Sequence, residues 1–348
     1  MKIFFQRNGL ILCVIAVFVI VCPLLEKGMD GYWQQIAMSV GINAILAVSL
    51  TLINGITGQF SIGHAAFMAI GAYFSGFLSI SFASRFMGIL DSLPPVVANN
   101  LWILLVLLAG GILAGIFGFI VGMPTLRLRG DYLAITTLGF GEIVRVIILN
   151  RPALGAATGM SVRPNEVGLF WVYFMLLVCV VVIYRITHSP RGLSFSAIRE
   201  DEIASSSIGI DPTRYKVAAF IVGAFFAGVG GALFAHQSIS GYINPTSFGF
   251  VKSFEIIVMI VLGGLGSITG AILGAVVLTI LPELLRSGSQ YRIVIYALML
   301  IILMLLRPQG LFGRHELSLL EIKRLWKLAL SKFSCLTGRD KDQRREDK

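Results

Sequence analysis

Charge is what this sequence has least of. Asp, Glu, Lys and Arg make up 13% of its 348 residues, about half the share of a soluble domain. Reactive side chains are also sparse. The four cysteines, Cys13, Cys22, Cys179 and Cys335, sit in or beside apolar runs or near the C-terminus. They have neither metal-ligand spacing nor an obvious pairing, which excludes a zinc ribbon or a disulfide framework as an organising device. The four histidines, His64, His188, His236 and His315, are too scattered for a local metal site. No His-Glu-x-x-His and no Gly-x-Ser-x-Gly nucleophile elbow occurs. The dipeptide Gly-Lys is absent altogether, and with it any Gly-x4-Gly-Lys-Ser/Thr phosphate loop. An intramembrane enzyme is disfavoured. Any energy-driven process here depends on a partner or a gradient.

What the sequence has is apolar length. It is 56% hydrophobic with a mean hydropathy of +0.86, and many runs reach the roughly 20 residues that cross a bilayer as helix. Runs at 9–25, 36–54, 62–82, 101–123, 132–149, 168–187, 217–237, 251–264, 266–283 and 291–306 predict an all-α polytopic membrane protein. About ten transmembrane helices are expected (8–10, with one or two re-entrant or broken). The first run follows Lys2 and Arg7; it is too long for a typical signal-peptide core and lacks a small-residue cleavage site, so it reads as a span. Residues 251–283 are interrupted by Gly263-Gly264-Leu265-Gly266 and read as two spans, which puts both termini on one side. Twenty of the 28 Lys and Arg then fall on that side and seven on the other, with Arg145 inside a span. By the positive-inside rule this side is cytoplasmic. The net charge of +10 is therefore a matter of topology and not of nucleic-acid binding. A membrane domain over 1–306 and a basic cytoplasmic tail over 307–348 are expected, the tail ending in RDKDQRREDK, whose composition predicts disorder.

The one long polar run inside the membrane domain is 185–216, RITHSPRGLSFSAIREDEIASSSIGIDPTRYK. Between Pro190 and Gly209 the spacing predicts one short amphipathic helix over about 194–208. Ala197, Ala204 and Ile208 line one face, and Arg199, Glu202 and Ser206 lie elsewhere. Such a helix between two spans suggests a docking surface; an ordinary solvated loop is the alternative.

Small residues repeat every four positions at Gly111 and Gly115, Gly118 and Gly122, and Gly266, Gly270 and Gly274. This spacing lets helices approach closely in lipid, here more simply within one subunit than between two. In NGITGQFSIGHAAFMAIGAY, beginning at Asn54, glycines alternate with Thr57, Gln59, Ser61 and His64. A broken or re-entrant helix beside a translocation path fits this composition. His64 is a path candidate or simply a packed polar residue. Glu142 and Arg145 are spaced to pair across one helical turn, facing the bundle interior. Glu255, near the outer end of its run, is open to the same two readings.

In order along the chain, NGITGQFSIGHAAFMAIGAY, LRLRGDYLAITTLGFGEIVR, SPRGLSFSAIREDEIASSSIGIDPTRYKVAAF, VLGGLGSITGAILGA and RPQGLFG resemble the permease subunits of branched-chain amino acid ABC importers of the LivM type, from about residue 36 to 313. The resemblance implies an ABC importer permease fold in the bacterial inner membrane. It also implies a second permease subunit of LivH type, two ABC ATPase subunits and a periplasmic substrate-binding protein. The chain itself would hold no cofactor, ATP being hydrolysed by the partners. It makes 188–216 the coupling segment, with Arg199, Glu200, Glu202, Ile203, Ala204, Gly209 and Ile210 as its contact residues. ABC permeases typically carry Glu-Ala-Ala-x3-Gly here; this chain has Ile203-Ala204-Ser205 before Gly209, with Glu202 one position early, so the Gly register is kept and the acidic one is not. Permeases for urea or short amides share these motifs. A stand-alone secondary transporter or a channel is the more distant alternative, disfavoured by the few intramembrane charges and the absence of a readable internal repeat.

Overall fold

A computed structural model describes residues 26, 28–89, 94–125, 132–162, 167–237, 241–284 and 301. The expected spans at 9–25 and 291–306, apart from residue 301, and the basic tail lie outside them.

The regular structure of the described chain is helical apart from a two-residue antiparallel pairing of Met160–Ser161 with Tyr242–Ile243 and an isolated Val167–Gln237 bridge. Among the described residues, six helices are long and apolar enough to cross a membrane. They are α1 (Gly31–Leu50, continued by one π-helical turn Thr51–Ile56), α2 (His64–Ile89), α3 (Pro95–Thr125), α4 (Tyr132–Leu149), α5 (Leu169–Thr187) and α8 (Pro212–Ala235). The two short helices α6 (Gly192–Glu200) and α7 (Glu202–Ser207) lie between α5 and α8. Two shorter apolar helices, α9 (Phe250–Gly263) and α10 (Ile268–Leu284), close the described fold. The run at 62–82 is thus long enough to span in full. The run at 251–283 divides at the glycines as expected, but α9 has 14 residues and rises only about 21 Å, short of the roughly 30 Å hydrocarbon core.

Burial sorts the helices into layers. The second half of α1 is buried on all sides, as is most of α8. Both are apolar around their whole circumference, as a helix surrounded by protein requires. Helices α2 and α3 pack on α8, α5 and α10 pack on α1, and α4 lies outside with a single narrow buried stripe.

Small residues set the central contacts. A Cβ on Gly71 would fall 2.0 Å from the carbonyl oxygen of Gly228, so α2 and α8 touch backbone to backbone. The predicted glycine repeats also pack within the subunit: Gly118 faces Ala224, and Gly270 meets the carbonyl of Gly263 where α9 turns into α10. Dispersion contacts at this range replace the hydrophobic driving force that lipid does not supply.

Candidate functional site

The polar segment differs from the single helix expected for 194–208. Asp201 leaves the helical region at φ −155° and ψ 112°, and its carboxylate accepts hydrogen bonds from the backbone N–H of Ile203 (2.8 Å) and Ala204 (3.0 Å). An Asp that captures these N–H groups ends one helix and caps the next. The predicted face changes with it. Phe195, Ile198 and Ser205 are buried, whereas Ala204 is exposed and Ile203 and Ile208 are 67% and 76% exposed. Gly209 keeps its expected role with φ +89°. Its N–H donates to the Ser206 carbonyl and that of Ile210 to the Ser205 carbonyl, the paired bonds of a glycine-terminated helix end. Glu202 pairs with Lys216 at the start of α8 (2.6 Å).

The expected break after α1 is present. The last turn is π-helical, with the Thr57 N–H donating to the Leu52 carbonyl. The chain then runs without helix until His64. Each freed backbone group at this depth needs a partner inside the protein. Asn54 supplies two, its amide donating to the Ser61 carbonyl and its oxygen accepting from the Ser61 N–H (3.3 Å each). Thr57 donates its hydroxyl to the Ile53 carbonyl (2.6 Å). At the N-terminus of α2, the Ile62 N–H donates to the Thr137 hydroxyl of α4 and the Ala65 N–H to the Ser253 hydroxyl of α9 (3.1 Å each). His64 shares a hydrogen bond with Ser49 through Nε2 (2.8 Å). The Gln59 amide and the Ser61 hydroxyl are buried without a hydrogen-bond partner among the described residues.

Arg199 joins the polar segment to this break. Its Nη1 donates to the Gly55 carbonyl (3.0 Å) and its Nη2 pairs with Glu200 (2.9 Å). A Cβ on Gly58, at φ +71°, would fall 2.7 Å from the Arg199 side chain. A Cβ on Gly55 would fall 2.5 Å from the backbone nitrogen of Gly266, in the α9–α10 turn. Three interruptions of helix, at 57–63, 201 and 264–267, therefore meet close to one guanidinium. Gly209 and Ile210 line a cavity beside Arg185, Arg191 and Arg214.

The charged path candidates lie on a different surface. Glu142 and Arg145 form the expected ion pair (2.7 Å), but with side chains 42% and 34% exposed. Within the described residues α4 buries Leu133, Ala134, Thr137, Val144 and Ile148, and the half-exposed pair falls to one side of that stripe. Glu255 pairs with Lys252 (3.2 Å). The Lys252 ammonium also donates to the Asn43 side-chain oxygen (3.1 Å), and the Asn43 amide donates to Thr279 (2.9 Å). Gly249, which precedes α9, lies against the Arg145 side chain, so the two ion pairs sit on neighbouring elements, each partly exposed. Sequence reasoning missed Asn43, Lys252 and Thr279 because each is an isolated polar residue in its own helix.

A bundle of long apolar helices with buried, satisfied backbone breaks and partly exposed ion pairs is a polytopic membrane protein. Residues 32–305 match the family model described as branched-chain amino acid transport system / permease component. The chain is 35% identical over 312 residues to the high-affinity branched-chain amino acid transport system permease protein LivM of Salmonella typhimurium, covering 80% of this chain and 69% of that one. It is 29% identical to the BraD permease protein of Pseudomonas aeruginosa (82% and 97% covered) and 27% identical to the LivH permease protein of Salmonella typhimurium (78% and 92%). No solved structure matches. The chain belongs to the branched-chain amino acid transport permease family.

Proposed function

We propose that this chain is the membrane half-pore of an ATP-driven importer of leucine, isoleucine and valine, working by alternating access in the bacterial inner membrane. In this reading a LivH-type subunit supplies the other half, a periplasmic binding protein delivers substrate, and two ATPase subunits hydrolyse ATP. Both termini and segment 188–216 face the cytoplasm, in keeping with the distribution of Lys and Arg.

The observation that carries the coupling role is the Arg199–Gly55 contact. An ATPase gripping the exposed Ile203 of α7 and Ile208 just past its end moves α6 with it, and Arg199 transmits that movement to the broken backbone after α1. The spare hydrogen-bonding groups of Gln59 and Ser61 suit a segment that re-pairs when it shifts between two packed arrangements. The partly exposed pairs Glu142–Arg145 and Lys252–Glu255 favour a path wall, because charges at membrane depth turn to protein or water and not to lipid. The names of the relatives favour branched-chain amino acids over urea or short amides.

The deciding experiment is uptake of labelled leucine and labelled urea in cells with and without this gene, with co-purification of the ATPase subunits. Loss of leucine uptake alone, with ATPase bound, is expected. Loss of urea uptake alone replaces the substrate, and a chain that purifies without ATPase rejects the importer reading.

A further inference from the structure

The long groove between α5 and α8 has a use that the half-pore reading leaves open. At the end where the polar segment lies it is a cavity of about 1070 Å³ lined by Arg185, Arg191 and Arg214 over an apolar floor that includes Phe195, Ala219 and Val222. Val222 also lines a second, almost wholly apolar hollow of about 720 Å³ that continues between α3, α5 and α8 past Val182 and Val178 to Val229. From Arg214 to Val229 is 15 residues of α8, a rise of about 22 Å, more than half of a hydrocarbon core of roughly 30 Å.

The two ends differ in chemistry. Ile112, Ile116 and Phe119 of α3 are 42–55% exposed along the apolar part. At the other end, Arg214 pairs with Asp211, which also caps α8. Arg185 and Arg191 have no acidic partner among the described residues. Two uncompensated guanidiniums at the mouth of a membrane-depth apolar groove match a ligand with an anionic head and a hydrocarbon tail. The tail over 307–348 carries eleven Lys and Arg against six Asp and Glu, a net charge of the same sign as this mouth.

We propose that the α5–α8 groove binds one anionic phospholipid, its phosphate held by Arg185 and Arg191 and an acyl chain lying along Val182 and Val222. The head then bridges the end of α5 and the turn that opens α6, at the entrance to segment 188–216.

The test is native mass spectrometry of the full chain, delipidated in detergent and titrated with phosphatidylglycerol or phosphatidylethanolamine. Wild type is expected to retain phosphatidylglycerol preferentially. R185Q/R191Q should weaken that binding by roughly fivefold per arginine, about 25-fold in all, while R185K/R191K keeps most of it and reports the same site if the neutral variant folds poorly. Equal binding of the two lipids, or undiminished binding by R185Q/R191Q, overturns the proposal. So does equal competition by inorganic phosphate, which needs no groove. Loss of the lipid when the second permease subunit is co-purified gives the groove to that subunit instead.

Discussion

Arg199 and Gly55 are 144 residues apart in sequence, and a 3.0 Å hydrogen bond joins the guanidinium of one to the carbonyl of the other. Because the chain leaves the helix after Ile56, this bond ties a short polar helix to the head of the break, beside the bonds that Asn54 and Thr57 make there. The Arg199 Nε is buried without a partner among the described residues, so the side chain is held by position as much as by pairing.

Arg199→Ala is expected to leave membrane insertion intact, to lower unfolding stability by about 2 kcal/mol, as for a hydrogen bond to a charged group, and to reduce ATP-driven leucine uptake at least tenfold. Arg199→Lys keeps the charge without the planar fork and should recover little. Thermal unfolding in detergent beside uptake measures both. Wild-type uptake by Arg199→Ala would remove the transmitting role.

Gly209→Val introduces a β-branched side chain where φ is +89° and no atom lies within 4 Å of the added Cβ. The penalty is therefore backbone strain alone, about 1–2 kcal/mol. Expression and insertion should match wild type while uptake is lost. Normal uptake would dismiss a role for this helix end in coupling.

Glu142→Gln removes the partner of Arg145 on a half-exposed surface. We expect a lower yield of folded protein with an unchanged order of preference among leucine, isoleucine and valine. A specificity shift at normal yield would instead make Glu142 a substrate contact. Competition uptake assays on yield-matched membranes separate the two.

Gly71→Leu drives a side chain into the Gly228 backbone and should cost about 3 kcal/mol or more, read as loss of the monodisperse peak on size exclusion. Gly115→Ala is the control: its Cβ would meet nothing closer than 3.7 Å, and near-neutral behaviour is expected. Similar tolerance at Gly71 would show that α2 and α8 do not pack this closely.

Composition and periodicity determined the class of this protein, because a bilayer accepts few structures and apolar runs of span length announce one of them. They also located the break after Asn54, where glycine alternates with polar residues, and the helix end at Gly209, where the chain needs positive φ. The Glu142–Arg145 pair was legible for the same reason, both partners lying on one helical turn. Only the tertiary structure decided what depends on distant contacts. Asp201 divides the polar helix because its side chain competes locally for backbone N–H groups, and that competition is settled by how α6 and α7 pack. Which face of the pair at 142 and 145 is open depends on what α4 rests against. The meeting of Gly55, Arg199 and Gly266, and the chain of Glu255, Lys252, Asn43 and Thr279, join residues from separate helices. No spacing in one helix records a hydrogen bond to another, so these sites exist only once the bundle has packed.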